Sequence, residues 1–130
     1  KKQTPKRPDF LAPIEQEFWL RGRVFASIDA KGNVWIGSDE VGDIESNGKI
    51  WVRGNNLGAI EPNGEIWFRG NSIGSLEDNG EVWRAGSQVG LIEKTGKVWI
   101  DGNANGEITP YQGEWKRAAV MYYFRDLFAD

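Results

Sequence analysis

The seven tryptophans of this 130-residue chain stand sixteen residues apart: Trp19, Trp35, Trp51, Trp67, Trp83, Trp99 and Trp115. A fixed period in this range marks a repeat architecture. Units begin at Phe25, Val41, Leu57, Ile73 and Val89. The clearest runs from Leu57 to Ser72, with apolar residues at its first, fourth, tenth and eleventh places. Glycine holds the second place at Gly42, Gly58, Gly74 and Gly90, the eighth in all five units, and the fourteenth at Gly54, Gly70, Gly86 and Gly102.

The residues around the eighth-place glycine predict a hairpin turn. Between Ile60 and Ile66 lies Glu61-Pro62-Asn63-Gly64-Glu65. A three-residue loop is a type I turn followed by a left-handed residue. Proline presets the first turn position and glycine tolerates the left-handed one. Such a turn fixes register, so Glu61 should face Glu65, Ile60 face Ile66, Ala59 face Trp67 and Gly58 face Phe68. The residue opposite each tryptophan is then mostly small: Ser27, Asp43, Ala59 and Ser75, with Leu91 the exception.

Alternation puts Ile60 and Ile66 on one face of the hairpin and Trp67 on the other. Both faces carry apolar bulk and need cover. A ring in which each hairpin packs on the next provides it, and so does a solenoid. Roughly twelve short strands fit before Trp115. The unit from Asn105 is degenerate and reads as a cap. From Lys116 to Phe128 there is no glycine or proline, and Ala119, Val120, Tyr123, Phe124 and Leu127 recur at helical spacing. The expected organisation is a basic disordered segment over 1–8, a hairpin-repeat domain over 9–115, and an amphipathic helix over 116–130. That helix packs on the same domain, covering an open end or plugging the centre.

The pattern Gly-x-Ile-x-x-x-Gly-x-Ile-Trp-x-x-Gly over residues 25–104 resembles that of the bacterial β-flower proteins. The resemblance implies an all-β, pseudo-symmetric ring of short hairpins arranged as petals, with the β-solenoid as the alternative. The family's aromatic is tyrosine, where this chain has tryptophan. The resemblance implies no activity. A weaker likeness is to choline-binding cell-wall repeats, which supply several aromatics per unit where this chain supplies mostly one.

Composition narrows the function. There is no cysteine and no histidine, which removes disulfides, thiolate metal sites and the commonest general base. Neither a cofactor nor a metal site is expected. No apolar run approaches the ~18 residues that span a membrane. Lys1, Lys2, Lys6 and Arg7 take four of the 16 basic residues, leaving 12 against 19 acidic, a body of −7. An acidic body argues against nucleic acid. The chain begins with Lys, and its basic, proline-bearing start reads as a spacer left after an export signal or as an arbitrary cut. The compartment stays open between envelope and cytoplasm.

Three constellations remain. The tryptophan ladder reads first as core, since each indole can bury ~150–250 Å², about 4–6 kcal/mol gross. Its sharper reading is a row of stacking platforms for sugars or cations, with Trp51, Trp67, Trp83, Trp99, Arg53 and Arg69 as ligand-binding residues. Arg21, Arg53 and Arg69 each follow a tryptophan by two places and are expected to share its strand face and stack on it. The carboxylates Asp29, Glu45, Glu61, Glu77 and Glu93 face Asn33, Lys49, Glu65, Glu81 and Lys97 at the hairpin tips. A like-charged pair there can serve a hydrolase, but a solvated tip is the plainer reading. No nucleophile–base pair is visible, and no catalytic residue is assigned. The expected function is a non-enzymatic repeat module, a scaffold or protein-interaction unit, with the bacterial envelope as one of the two compartments left open. Its rivals are a carbohydrate or cell-wall ligand module using the ladder, and a hydrolase using an acidic pair. The expected partner is a protein or a glycan, and an unclosed ring would pair with a second copy through its free edge.

Overall fold

The computed structural model describes residues 8–129, so most of the expected disordered start lies outside the described residues. Twelve strands follow in order: β1 (Gln16–Leu20), β2 (Arg23–Ile28), β3 (Asn33–Ile36), β4 (Asp39–Ile44), β5 (Lys49–Val52), β6 (Asn55–Ile60), β7 (Glu65–Phe68), β8 (Asn71–Leu76), β9 (Glu81–Arg84), β10 (Ser87–Ile92), β11 (Lys97–Ile100) and β12 (Asn103–Thr109). A helix, α1 (Lys116–Tyr123), and a 3-10 turn (Arg125–Phe128) complete the chain. Each strand pairs antiparallel with the next, and β1 pairs with β12. The hairpins therefore close into a barrel rather than a solenoid. Closure leaves no unpaired edge among the described strands, which removes edge pairing as a route to a second copy.

The expected turn forms, with Ile60, Ala59 and Gly58 facing Ile66, Trp67 and Phe68. Gly64 has φ +96°, and Asn63 Oδ1 accepts from Glu65 N at 3.0 Å. A second turn, unrecognised in the sequence, lies at the other end of each unit. Arg69 and Gly70 both take positive φ (51° and 84°), the signature of a two-residue type I′ hairpin turn. Arg53 and Arg21 occupy the same left-handed position. These arginines therefore sit in turns and not on the tryptophan's strand. Arg69 lies 5.5 Å from the ring centroid of Phe68, and Arg53 Nη2 donates to Phe128 O at 2.9 Å.

One extra residue interrupts each hairpin at the same point. On β8, Ser72 faces Trp67 and Gly74 faces Ile66, so Ile73 is bulged. Phe25, Val41, Leu57 and Val89 are bulged likewise, and β12 shifts near Asn105. Bulges bend strands and add twist, which is how a sheet is curved until it closes.

The inner wall is aliphatic. Ile28, Ile44, Ile60, Leu76, Ile92 and Ile108 alternate with Val34, Ile50, Ile66, Val82 and Val98, none above 3 % exposed. A twelve-stranded barrel is wider than its own side chains can fill. Here α1 fills it. Ala118, Ala119, Val120 and Met121 are fully buried, as are Phe124 and Phe128 beyond. A helix buried all round is a plug and not an amphipathic cover. It also ends at Tyr123 rather than running to 130: Phe124 leaves the helical region, and Arg84 Nη1 donates to the orphaned Tyr123 O at 2.8 Å. The second-place glycines Gly42, Gly74 and Gly90 make room for the plug segment. A Cβ on Gly74 would lie 2.7 Å from Phe124 Cζ and 2.5 Å from Trp83 O.

Both ends of the plug are tied. At the three-residue loops, buried Arg117 donates to Ile44 O at 2.9 Å, to Ser46 Oγ at 3.2 Å and to Ala12 O. Burial lowers its pKa, and the nearby Glu114 carboxylate opposes that. Further along, Tyr123 Oη donates to Trp99 O and Tyr122 Oη to Trp19 O, both at 2.6 Å. Beyond them Arg84 grips Asp126 with two bonds of 2.7 Å.

Candidate functional site: the outer tryptophan girdle

Because the plug fills the inside, the tryptophans are not core. Alternation directs Trp19, Trp35, Trp51, Trp67, Trp83 and Trp99 to the outer wall, where each is partly exposed, Trp67 the most at 37 %. Trp115 is separate, partly buried against the core just before α1. Neighbouring indoles are two strands apart, or about 10 Å. Trp51, Trp67, Trp83 and Trp99 thus share one girdle but not one pocket. Arg53 and Arg69, in turns at the barrel's end, do not join them. Trp19 and Trp35 are equal members that the earlier choice of four omitted, although the sixteen-residue period already contained them.

The carboxylates have a role that the hairpin-tip reading missed. Most indole N–H groups donate to a side chain of their own wall: Trp67 to Glu65 at 3.4 Å, Trp83 to Glu81 at 3.2 Å, Trp99 to Glu93, and Trp35 to Asp29. Trp19 uses Thr109 Oγ1 at 2.7 Å. The signal was present as an acid two places before Trp67 and Trp83, on the same strand face. Trp51 Nε1 differs: it is buried and has no partner among the described residues.

Register groups the wall into lateral rows. The ninth-place residue of one unit, the third-place residue of the next and that unit's tryptophan lie side by side, as Glu65, Ser75 and Trp83 do. Directly opposed residues have Cβ atoms ~4.5–5.5 Å apart. Shallow grooves run along these rows. One of about 640 Å³ lies beside Trp35 and one of about 580 Å³ beside Trp83. A third, about 610 Å³, opens at the barrel end between Arg53, Tyr122, Asp126 and Phe128.

The charge on this wall is uneven. At Asp29 burial acts to raise the pKa. Hydrogen bonds from Asn33, the Lys31 amide and Trp35 outweigh it and hold the carboxyl below its usual value. Asp43, opposite Trp51, is pushed up by burial and by Glu40, Glu45 and Asp29. No group of three or more metal-ligating side chains converges among the described residues. No helix there is long and apolar enough to cross a membrane. The arrangement offers aromatic surface, acceptor oxygens and negative charge on a rigid convex wall. Comparison with known proteins returned no match: no family model, no curated protein and no solved structure is similar to this chain.

Proposed function

We propose that this chain is a non-enzymatic binding module, a rigid plugged barrel whose outer tryptophan girdle is the ligand face, and that its ligand is carbohydrate. One observation carries this reading: partly exposed indoles recur around the wall with their N–H groups already held by neighbouring side chains. An aromatic fixed in place before the ligand arrives saves the cost of ordering it on binding. A sugar presents a C–H face to an indole and hydroxyls to the flanking carboxylates. The carboxylates act as acceptors for the indoles, which favours binding over hydrolysis. The six-hairpin ring supports kinship with the β-flower proteins, and an envelope location suits a glycan ligand.

A second reading, a protein-interaction scaffold, draws on Trp67, since exposed tryptophan is favoured at interface hot spots. Pull-down on immobilised cell-wall polysaccharides separates the two. Alanine at Trp19, Trp35, Trp51, Trp67, Trp83 and Trp99 together should abolish retention while far-UV circular dichroism still reports the barrel. Equal retention by parent and variant on every polysaccharide defeats the carbohydrate reading.

A further inference from the structure

The six lateral rows are not alike. In chain order they read Glu17-Ser27-Trp35, Asn33-Asp43-Trp51, Lys49-Ala59-Trp67, Glu65-Ser75-Trp83, Glu81-Leu91-Trp99 and Lys97-Glu107-Trp19. Two of the six have the same composition: acid, serine, tryptophan. They stand three repeats apart in a ring of six, hence on opposite sides of the barrel. The likeness extends to the fifth place, where Asp29 in one row corresponds to Glu77 in the other.

These two rows also line the outer-wall grooves of about 640 and 580 Å³. Where Leu91 replaces the serine, the groove beside Trp99 shrinks to about 320 Å³. Serine at the third place accompanies the wider grooves at Trp35 and Trp83. Neither of the two large grooves is lined by a lysine or arginine. Each carries two carboxylates at corresponding positions and a serine hydroxyl: Ser75 Oγ donates to Glu77 at 2.9 Å, while Asp29 already accepts from Lys31 N, Asn33 N and Asn33 Nδ2, each at 3.0 Å, and turns its negative charge rather than free lone pairs to the groove. Behind the first groove Gln16 is fully buried and donates through Nε2 to Glu114 O at 2.8 Å.

We propose that the niches at Trp35 and Trp83 are a twin pair of sites for an amino sugar, whose ring stacks on the indole and whose ammonium group lies between the paired carboxylates. This inference rests on the carbohydrate reading above and names the sugar. A primary ammonium brings three donors and no acceptor, matching a niche of carboxylates. A cation near an indole gains further attraction from its face. Asp29, held below the usual carboxylate range, keeps its charge wherever the ligand is protonated.

The test is isothermal titration of the intact chain with glucosamine oligomers, their fully N-acetylated counterparts, and spermidine. The glucosamine oligomer should bind at two sites per chain. N-acetylation, which removes charge but not the ring, should weaken binding at least tenfold, and spermidine, which has charge but no ring, likewise. Ser75→Leu should halve the stoichiometry, and Ser27→Leu with Ser75→Leu should abolish binding. Leucine stands at this repeat position in Leu91, so the barrel accommodates it. Glu65→Gln should reproduce the loss at one site without changing shape. Equal binding of the acetylated oligomer overturns the amino-sugar assignment and leaves the carbohydrate reading intact. Equal binding of spermidine overturns it too, in favour of bare charge. A stoichiometry unmoved by Ser75→Leu overturns the location, and silence from both oligomers overturns the amino-sugar assignment, while the polysaccharide pull-down decides the carbohydrate reading.

Discussion

Gly90 touches the plug in a way that makes the plug testable. A Cβ there would fall within the Tyr123 ring, whose Cε1, Cζ and Oη are its three nearest atoms. No backbone atom stands among those three, and the φ of Gly90 is not left-handed. Gly90→Ala should therefore suffer first from Tyr123, its nearest neighbour. Overpacking a core costs about 1–3 kcal/mol. Against it stands a gain of ~0.4–1 kcal/mol from stiffening the unfolded chain. The net loss should be about 1–2 kcal/mol. Tyr123→Ala alone should cost about 3–5 kcal/mol, as large aromatic truncations do, including the bond to Trp99 O. In that background the ring is gone, so Gly90→Ala should cost less by about 1 kcal/mol or more. Urea denaturation of the four proteins, followed by tryptophan fluorescence, gives the cycle. Independent sites add to within ~0.5 kcal/mol. If Gly90→Ala costs the same with and without Tyr123, the helix does not run past this strand and the plugged barrel is wrong.

Three further outcomes follow from the geometry. Acrylamide should quench the native tryptophan emission readily, because six of the seven indoles lie on the outer wall; a blue-shifted, protected emission would place them back in a core. Ala85→Asn should raise stability by about 0.5–1 kcal/mol in a urea melt, since Ala85 has φ +52° before Gly86 and Asn-Gly suits a type I′ turn; a loss would contradict that turn. The hydrogen bond from Arg84 holds the Asp126 carboxyl below its ordinary value of 3.8, against a smaller opposing effect of burial. A carboxyl lowered in the folded state stabilises above its unfolded pKa and loses that contribution as pH falls through the folded one. The pair is largely exposed, so its share is at most ~1 kcal/mol. The stability gap between parent and Asp126→Asn should accordingly be present at pH 6 and narrow below pH 3.8; a gap that widens in acid refutes the pairing.

Much of the wall was legible from local chemistry. Pro62-Asn63-Gly64 dictates its own turn, and a turn of known length fixes which residues face each other, so Ala59–Trp67 and Ser75–Trp83 could be paired without coordinates. The arginines were misplaced because Arg69-Gly70 was read as strand and glycine, when together they make a second turn. The tryptophans were misassigned for a different reason. Alternation says that Trp67 and Ile66 point opposite ways, but it does not say which way is in.

The sequence by itself determined the period, the strand count, the hairpin register and the presence of a C-terminal helix, because each follows from residues within one or two turns of one another. Only the tertiary structure decided that β1 meets β12, that α1 threads the ring, and that the indoles consequently face outward with acids at their edges. Closure is a sum of small bends at six bulges. The choice of inner face depends on which side of the wall the helix can fill, and the glycine stripe at Gly42, Gly74, Gly90 and Gly106 takes its sense from the aromatics of a segment far along the chain.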